Sequence, residues 1–224
     1  MSLKFIILSG VVMQFICFTT FAQRSRNVQD HILIKESDKY LYGAQEANYE
    51  GSPYLNENFI KGYVYSGNEK FNGVPMRYNI FQDKIEFQDL GVMYLLEPDT
   101  LINKVEIGNQ ILVVESFKFL SKTQPTFLEL LESGKLTLMA KKTVNYREKV
   151  LISDIPAKYV RSADVFYYKY KNEDLVKVGS IKNLLASLPD KQQEISKFVK
   201  EQKISSKDKD GLIKFVKYYN SIND

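Results

Sequence analysis

The chain reads as an α+β protein: a mainly antiparallel β-sandwich or partly closed barrel followed by three short C-terminal α-helices. Three observations predict this. Between Phe59 and Gly179, short runs of alternating apolar and polar residues follow one another, separated by turn dipeptides. After Gly179 the apolar spacing changes to i, i+3, i+4, i+7. Aromatic residues make up 13% of the 224 residues, as 15 Tyr and 14 Phe with no Trp, and these two residues favour the half-buried surfaces of strands.

Residues 1–22 carry Lys4 and then no charged side chain from Phe5 to Ala22. They end in Thr20-Phe21-Ala22, with small residues one and three places before a cut, the layout of a secretory signal peptide. A membrane anchor is the competing reading, because an uncharged stretch of roughly 17 residues lies at the lower edge for a spanning helix. Lipid attachment at Cys17 is not expected, since Ile16 rather than a small residue precedes it. Residues 23–58 form an extended polar arm with a short apolar run, His31 to Ile34, and the loop chemistry of Gly51-Ser52-Pro53. Such an arm can pack on the domain as an edge strand.

Residues 59–179 form the antiparallel β domain. Gly67-Asn68 separates GYVYS from KFNGVPMRYNIF as a hairpin turn. In the second run Val74, Met76, Tyr78 and Ile80 share one face, and Arg77 and Asn79 share the other. Gln82-Asp83 turns the chain into KIEFQDL, VMYLL follows, and Glu97-Pro98-Asp99 is the next turn. LINKVEI and ILVVESFKFL pair about Gly108-Asn109. Residues 121–126 are expected as a loop around Pro125. TFLELLE suits a short helix through Leu128, Leu130 and Leu131, but its hairpin spacing with KLTLMAKKTV across Ser133-Gly134 favours a strand. Residues 145–162 are expected as a long loop containing Pro156. DVFYYKYK and LVKVG bracket Asn172-Glu173-Asp174 as the last hairpin.

Residues 180–224 form a helical tail packed on the β domain. Ile181, Leu184, Leu185 and Leu188 make one stripe, with Ser180 as N-cap and Pro189 as the stop. Asp190 is expected to cap the second helix with Gln193 in the capping-box position, ahead of Ile195, Phe198 and Val199. The third helix, from about Asp208 to Ile222, places Leu212, Val216 and Tyr219 on a face that Ile213 and Phe215 widen. Helices this short cannot bury their stripes alone.

Composition narrows the chemistry. A hydrophobic fraction of 44% argues for a folded globule. Cys17 is the single cysteine, so removal of the leader leaves no thiol for disulfides, nucleophilic catalysis or metal binding. His31 is the single histidine, which rules out a histidine triad or a multi-histidine zinc site within one chain. The net charge of +4 is distributed among interspersed acids, unlike the concentrated basic face of a nucleic-acid binder. No G-x-S-x-G and no phosphate-binding glycine loop occur, and no cofactor is expected. Asp208 and Asp210 lack the later ligands of a calcium loop. Asp83, Glu86, Asp89, Glu97, Asp99, Glu106 and Glu115 leave a carboxylate acid–base pair open in principle.

The polar aromatic segments are the remaining candidates for binding. Arg77, Tyr78 and Asn79 place a guanidinium and an amide opposite the apolar face, where the arginine could bind a carboxylate or pair with Glu86 across a hairpin. Tyr167, Tyr168 and Tyr170 put phenols on both faces of a strand, for interface contact or for sheet packing.

PYLNENFIKGYVY, the GVPMRYNIF–KIEF pair and the closing SIKNLLASLPDKQQEISKFVKEQ…GLIKFVKYYN resemble a group of exported Bacteroidota proteins with no established activity. The resemblance spans Tyr54 to Asn220. It implies a periplasmic or outer-membrane-associated setting, and it transfers no catalytic residue. Arg77-Tyr78-Asn79 and Tyr218-Tyr219-Asn220 match positions that the group shares. Three functions compete. The leading one is a non-catalytic protein that binds another protein or an envelope component, with no nucleic acid and no membrane span after leader cleavage. The alternatives are a carrier of an apolar ligand in a sheet-plus-helix cavity and a carboxylate-based glycan hydrolase. A tail capping an open end of the sheet favours the carrier; a tail lying flat over one face favours the binding protein.

Overall fold

The computed structural model describes residues 35–36, 49–71, 73–119, 122–148 and 156–223. The leader, Cys17 and His31 lie outside the described residues, as does most of the arm. A large curled antiparallel sheet, a half-barrel, is followed by three C-terminal helices.

The strands are β1 (Lys35–Glu36), β2 (Tyr49–Glu50), β3 (Ile60–Ser66), β4 (Glu69–Lys70), β5 (Val74–Asn79), β6 (Lys84–Asp89), β7 (Val92–Leu96) and β8 (Ile102–Ile107). They continue as β9 (Gln110–Phe119), β10 (Lys122–Glu132), β11 (Leu136–Lys141), β12 (Val144–Arg147), β13 (Ala157–Arg161), β14 (Val165–Tyr170) and β15 (Val176–Lys177). The helices are α1 (Ile181–Ser187), α2 (Gln192–Glu201) and α3 (Lys209–Asn223). Among the described residues the main sheet runs β1-β7-β6-β5-β3-β8-β9-β10-β11-β14-β15, with β4 folded back on β3. A second, small sheet has the order β12-β13-β2.

Alternation sets the two faces of the main sheet. The inner face carries Val64, Met76, Tyr78, Ile85, Phe87, Val105, Leu112 and Phe127 at one end, where Val144 and Tyr159 of the small sheet pack onto them. At the other end it carries Leu136, Leu138, Ala140, Phe166 and Tyr168, covered by the helices. The register Glu129↔Ala140 and Glu129↔Leu112 ties these two apolar clusters to one face.

The tail lies over that face. Leu212, Phe215, Val216 and Tyr219 of α3 are fully buried against β10, β11 and β14. Ser180 caps α1 through its Oγ, which accepts from Asn183 N at 3.1 Å, as expected. The second cap differs. Lys191 takes the N-cap position in the left-handed region (φ 52°) without a side-chain bond. Asp190 turns instead toward the sheet, where it accepts from Lys135 Nζ at 3.2 Å and Tyr170 Oη at 3.3 Å. Lys135 and Tyr170 on the sheet take the carboxylate in place of a local cap.

Two expected loops are strands. Pro125 sits inside β10, opposite Ser116. The Phe127 carbonyl accepts from Lys141 Nζ, so the backbone groups of this parity point away from β9. β11 joins β10 only from Glu129 onward, so the proline nitrogen faces an unpaired edge and interrupts no ladder. Within residues 145–162, β12 and β13 pair from Val144↔Arg161 to Arg147↔Lys158, and β2 adds in parallel through Ala157↔Tyr49. Residues 149–155 lie outside the described residues.

Candidate functional site

Asn79 Oδ1 accepts from Gln82 N at 3.0 Å and Asp83 adopts φ 56°, so the β5–β6 turn folds tightly. The resulting register sets Arg77 opposite Glu86. Arg77 Nε and Nη2 both lie 2.7 Å from Glu86 Oε2, and Asn79 Nδ2 donates to Glu86 Oε1 at 3.2 Å. Glu86 is wholly buried on the outer face. The segment before β3 roofs it. Tyr54 bridges to Asn79, and the guanidinium lies 3.7 Å from the Tyr54 ring centroid and 4.5 Å from that of Phe59. Arg77 also donates to Tyr54 Oη at 2.9 Å and to the Glu57 carbonyl at 3.0 Å. Burial pushes the Tyr54 phenol well above the ordinary tyrosine range, and the Glu86 charge adds to this. This arginine is committed to an internal carboxylate.

A second polar cluster joins the same turn to the far side of the half-barrel. Tyr78 Oη donates to Asp83 Oδ1 at 2.5 Å, and Thr126 Oγ1 donates to Asp83 Oδ2 at 2.5 Å. Lys141 Nζ lies 2.7 Å from Asp83 Oδ1 and 2.5 Å from Thr126 Oγ1. Burial holds the Lys141 ammonium below its ordinary range, with Asp83 opposing that shift, and burial raises the Tyr78 phenol strongly. Tyr78 also packs edge-on against Phe127.

Beside this turn, four aromatic rings converge from separate segments. Tyr49 and Phe81 meet Tyr159 edge-on at 5.2 and 5.5 Å between centroids. Tyr146 lies 4.9 Å from Tyr159 and 6.2 Å from Phe81. Tyr159 is buried, whereas Phe81 is 47% and Tyr49 37% exposed. Arg161 anchors the strap behind them by donating to the Tyr54 and Leu55 carbonyls. Tyr49 and Phe81 are the exposed large aromatics among the described residues, and the quartet that holds both is the candidate binding site.

The other predicted positions serve the fold. Tyr168 is buried, with its hydroxyl donating to Ser187 Oγ at 2.8 Å, and Tyr170 is buried with its hydroxyl on Asp190. Tyr167, on the opposite face of β14, is half-buried, and burial raises its phenol above the ordinary range. Tyr218 stacks on Phe198 at 3.9 Å, and Tyr219 is fully buried. Asn220 behaves like a short strand partner. Its Oδ1 accepts from Leu136 N at 2.8 Å, and its Nδ2 donates to Leu136 O at 2.9 Å and Ser133 O at 3.4 Å. The amide fits because position 134 is glycine: a Cβ there would lie 2.3 Å from Asn220 Nδ2.

All seven carboxylates considered for an acid–base pair, Asp89 included, make interactions. Asp83, Glu86, Glu97, Glu106 and Glu115 pair with Lys141, Arg77, Lys84, Lys104 and Lys169, respectively. Asp99 accepts from the Leu101 backbone. No group of three or more metal-ligating side chains occurs among the described residues. Among them, no helix is long and apolar enough to cross a membrane.

Sequence reasoning missed the quartet. Tyr146 and Tyr159 fall in the segment expected as a loop, and Tyr49 in the polar arm. The alternation of Asn145-Tyr146-Arg147 and Lys158-Tyr159-Val160 is the one local signal that could have found them. No protein-family model, curated protein or solved structure matches this chain.

Proposed function

We propose that the protein is an exported, non-catalytic component of the cell envelope that binds another protein or an envelope constituent. The observation that carries this reading is the quartet of Tyr49, Phe81, Tyr146 and Tyr159, in which exposed Tyr49 and Phe81 and half-buried Tyr146 meet over a buried Tyr159. Aromatic residues with a buried base and an exposed edge offer large contact area at low side-chain entropy cost, and they are enriched at interfaces. Two further features agree. The tail lies flat over the sheet and fills that face with side chains, as a scaffold requires. Asp83, Glu86, Glu97, Glu106 and Glu115 are each held in an ion pair, which fits a structural use of these carboxylates better than an acid–base pair.

The test is photo-crosslinking from the quartet in envelope fractions, with Phe81→Ala as the comparison. One dominant crosslinked partner is expected, with recovery reduced about 30-fold by the substitution if Phe81 is an interface hot spot. Equal recovery from both proteins overturns the assignment of the site.

A further inference from the structure

On the outer face of β3, the KGYVYS run turns Lys61, Tyr63 and Tyr65 outward while Val64 faces the core. Lys70 of β4 places Nζ 3.9 Å from the Tyr63 ring centroid and 5.2 Å from that of Tyr65. Lys104 of β8 lies 4.2 Å over Tyr65, and Lys61 lies 5.8 Å from Tyr63. Tyr63 and Lys61 lie close over Gly73, where a Cβ would meet Tyr63 Cε1 at 2.6 Å and Lys61 Cε at 2.8 Å.

Charge balance separates this stripe from the rest of the outer face. Arg77, Lys84, Lys141 and Lys169 each have a carboxylate of their own. Among the described residues, β3, β4 and β8 bring three ammonium groups and one carboxylate, Glu106, to this face, with Glu69 of β4 at the alternate position opposite Ser66; Glu106 holds Lys104 at 2.7 Å and accepts from Tyr65 Oη at 2.7 Å. The hydrogen bond from Lys104 holds the Glu106 carboxyl below its ordinary range.

Apolar side chains adjoin the cations. Leu101, 60% exposed, sits at the end of the stripe, where Ser66 Oγ donates to its carbonyl at 2.7 Å. The strand registers put the β6–β7 turn at this same end of the sheet, and its Leu90 is 89% exposed. Cations, phenols and protruding leucines together match a partner that is negative at its surface and apolar just beneath it.

We infer that the stripe of Lys61, Tyr63, Tyr65, Lys70 and Lys104, with Leu101 at its end, docks the protein peripherally on an anionic lipid surface. The lysines face the phosphate-bearing headgroups, the tyrosines lie at headgroup level, and Leu101 enters the acyl boundary. The quartet is not part of this contact. Vesicle partitioning reads the stripe and envelope crosslinking reads the quartet, so each reading fails alone.

The experiment is co-sedimentation of the protein, purified from cells that produce it, with vesicles of phosphatidylglycerol and phosphatidylcholine and with phosphatidylcholine alone. Binding is expected to the anionic vesicles and to fall as salt rises. Lys61→Gln with Lys70→Gln lowers the partition coefficient about 25-fold, at about fivefold for each cation near an anionic surface. Leu101→Ser lowers it about tenfold through lost apolar burial. Lys182→Gln with Lys207→Gln, a matched charge change on the tail, leaves it near the starting value. Equal partitioning on both vesicle types overturns the inference. So does an unchanged coefficient in the Lys61/Lys70 variant, or a loss in the tail variant as large as in the stripe variant.

Discussion

The two ends of the half-barrel solve the same covering problem with different chemistry. The helix-covered end buries Leu212, Phe215 and Val216 against Leu136, Leu138 and Ala140, and its tyrosines send their hydroxyls to the rim. The end covered by the small sheet is equally apolar inside, but its outer face holds a wholly buried carboxylate under a strap. Apolar burial is tolerant of exact partners, whereas a buried charge must be matched. Apolar area therefore holds both ends, and the second adds a buried charge pair that must be matched.

The largest expected effect tests that contrast directly. Arg77→Met leaves Glu86 buried without its cation and should cost about 3–5 kcal/mol of stability. Chemical denaturation measures this, and Arg77→Met combined with Glu86→Leu should recover most of the loss. If the single substitution costs no more than an ordinary surface change, the buried pair adds nothing to that end.

A smaller loss is expected at the other end. Asn220→Ala removes the amide that satisfies the Leu136 backbone on both sides and should cost about 1–3 kcal/mol. Hydrogen exchange should show the β10–β11 turn opening while β5 and β6 stay protected. Loss of protection at both ends together would mean that they unfold as one unit.

The smallest effect concerns alkaline pH. The Tyr54 and Tyr78 phenols are raised in the folded protein by burial. Their contribution is complete below the unfolded tyrosine value of about 10 and is lost as pH rises above it, because the unfolded chain then releases protons that the folded one keeps. The melting temperature should therefore fall between pH 9 and pH 11, and Tyr78→Phe should flatten that slope. An unaltered slope in this variant would remove Tyr78 from the account.

Local periodicity made much of the architecture legible. Alternation of apolar residues along the inner face placed β5, β6, β11 and β14 from Met76, Ile85, Leu138 and Phe166, even though β6 and β11 also bury intervening residues. The change of period at Ser180 marked the tail, and hairpin spacing gave the Arg77–Glu86 pair. Long-range pairing was not legible. β2 joins β13 across nearly half of the chain, and Lys141 meets Asp83 from a distant strand. Nothing near Asp190 announced that it would face Lys135 rather than cap a helix. The aromatic quartet stayed hidden for the same reason: its rings become neighbours only after the small sheet has folded down.

Pro125 bears on a different hazard. Where β10 runs beyond β11, no other strand pairs with that border among the described residues, and such borders are the kind from which molecules copy one another into fibres. A residue with no amide hydrogen at that border breaks the row of donors a second molecule would need. This placement gives the longest hairpin of the protein a built-in guard against stacking edge to edge at high concentration.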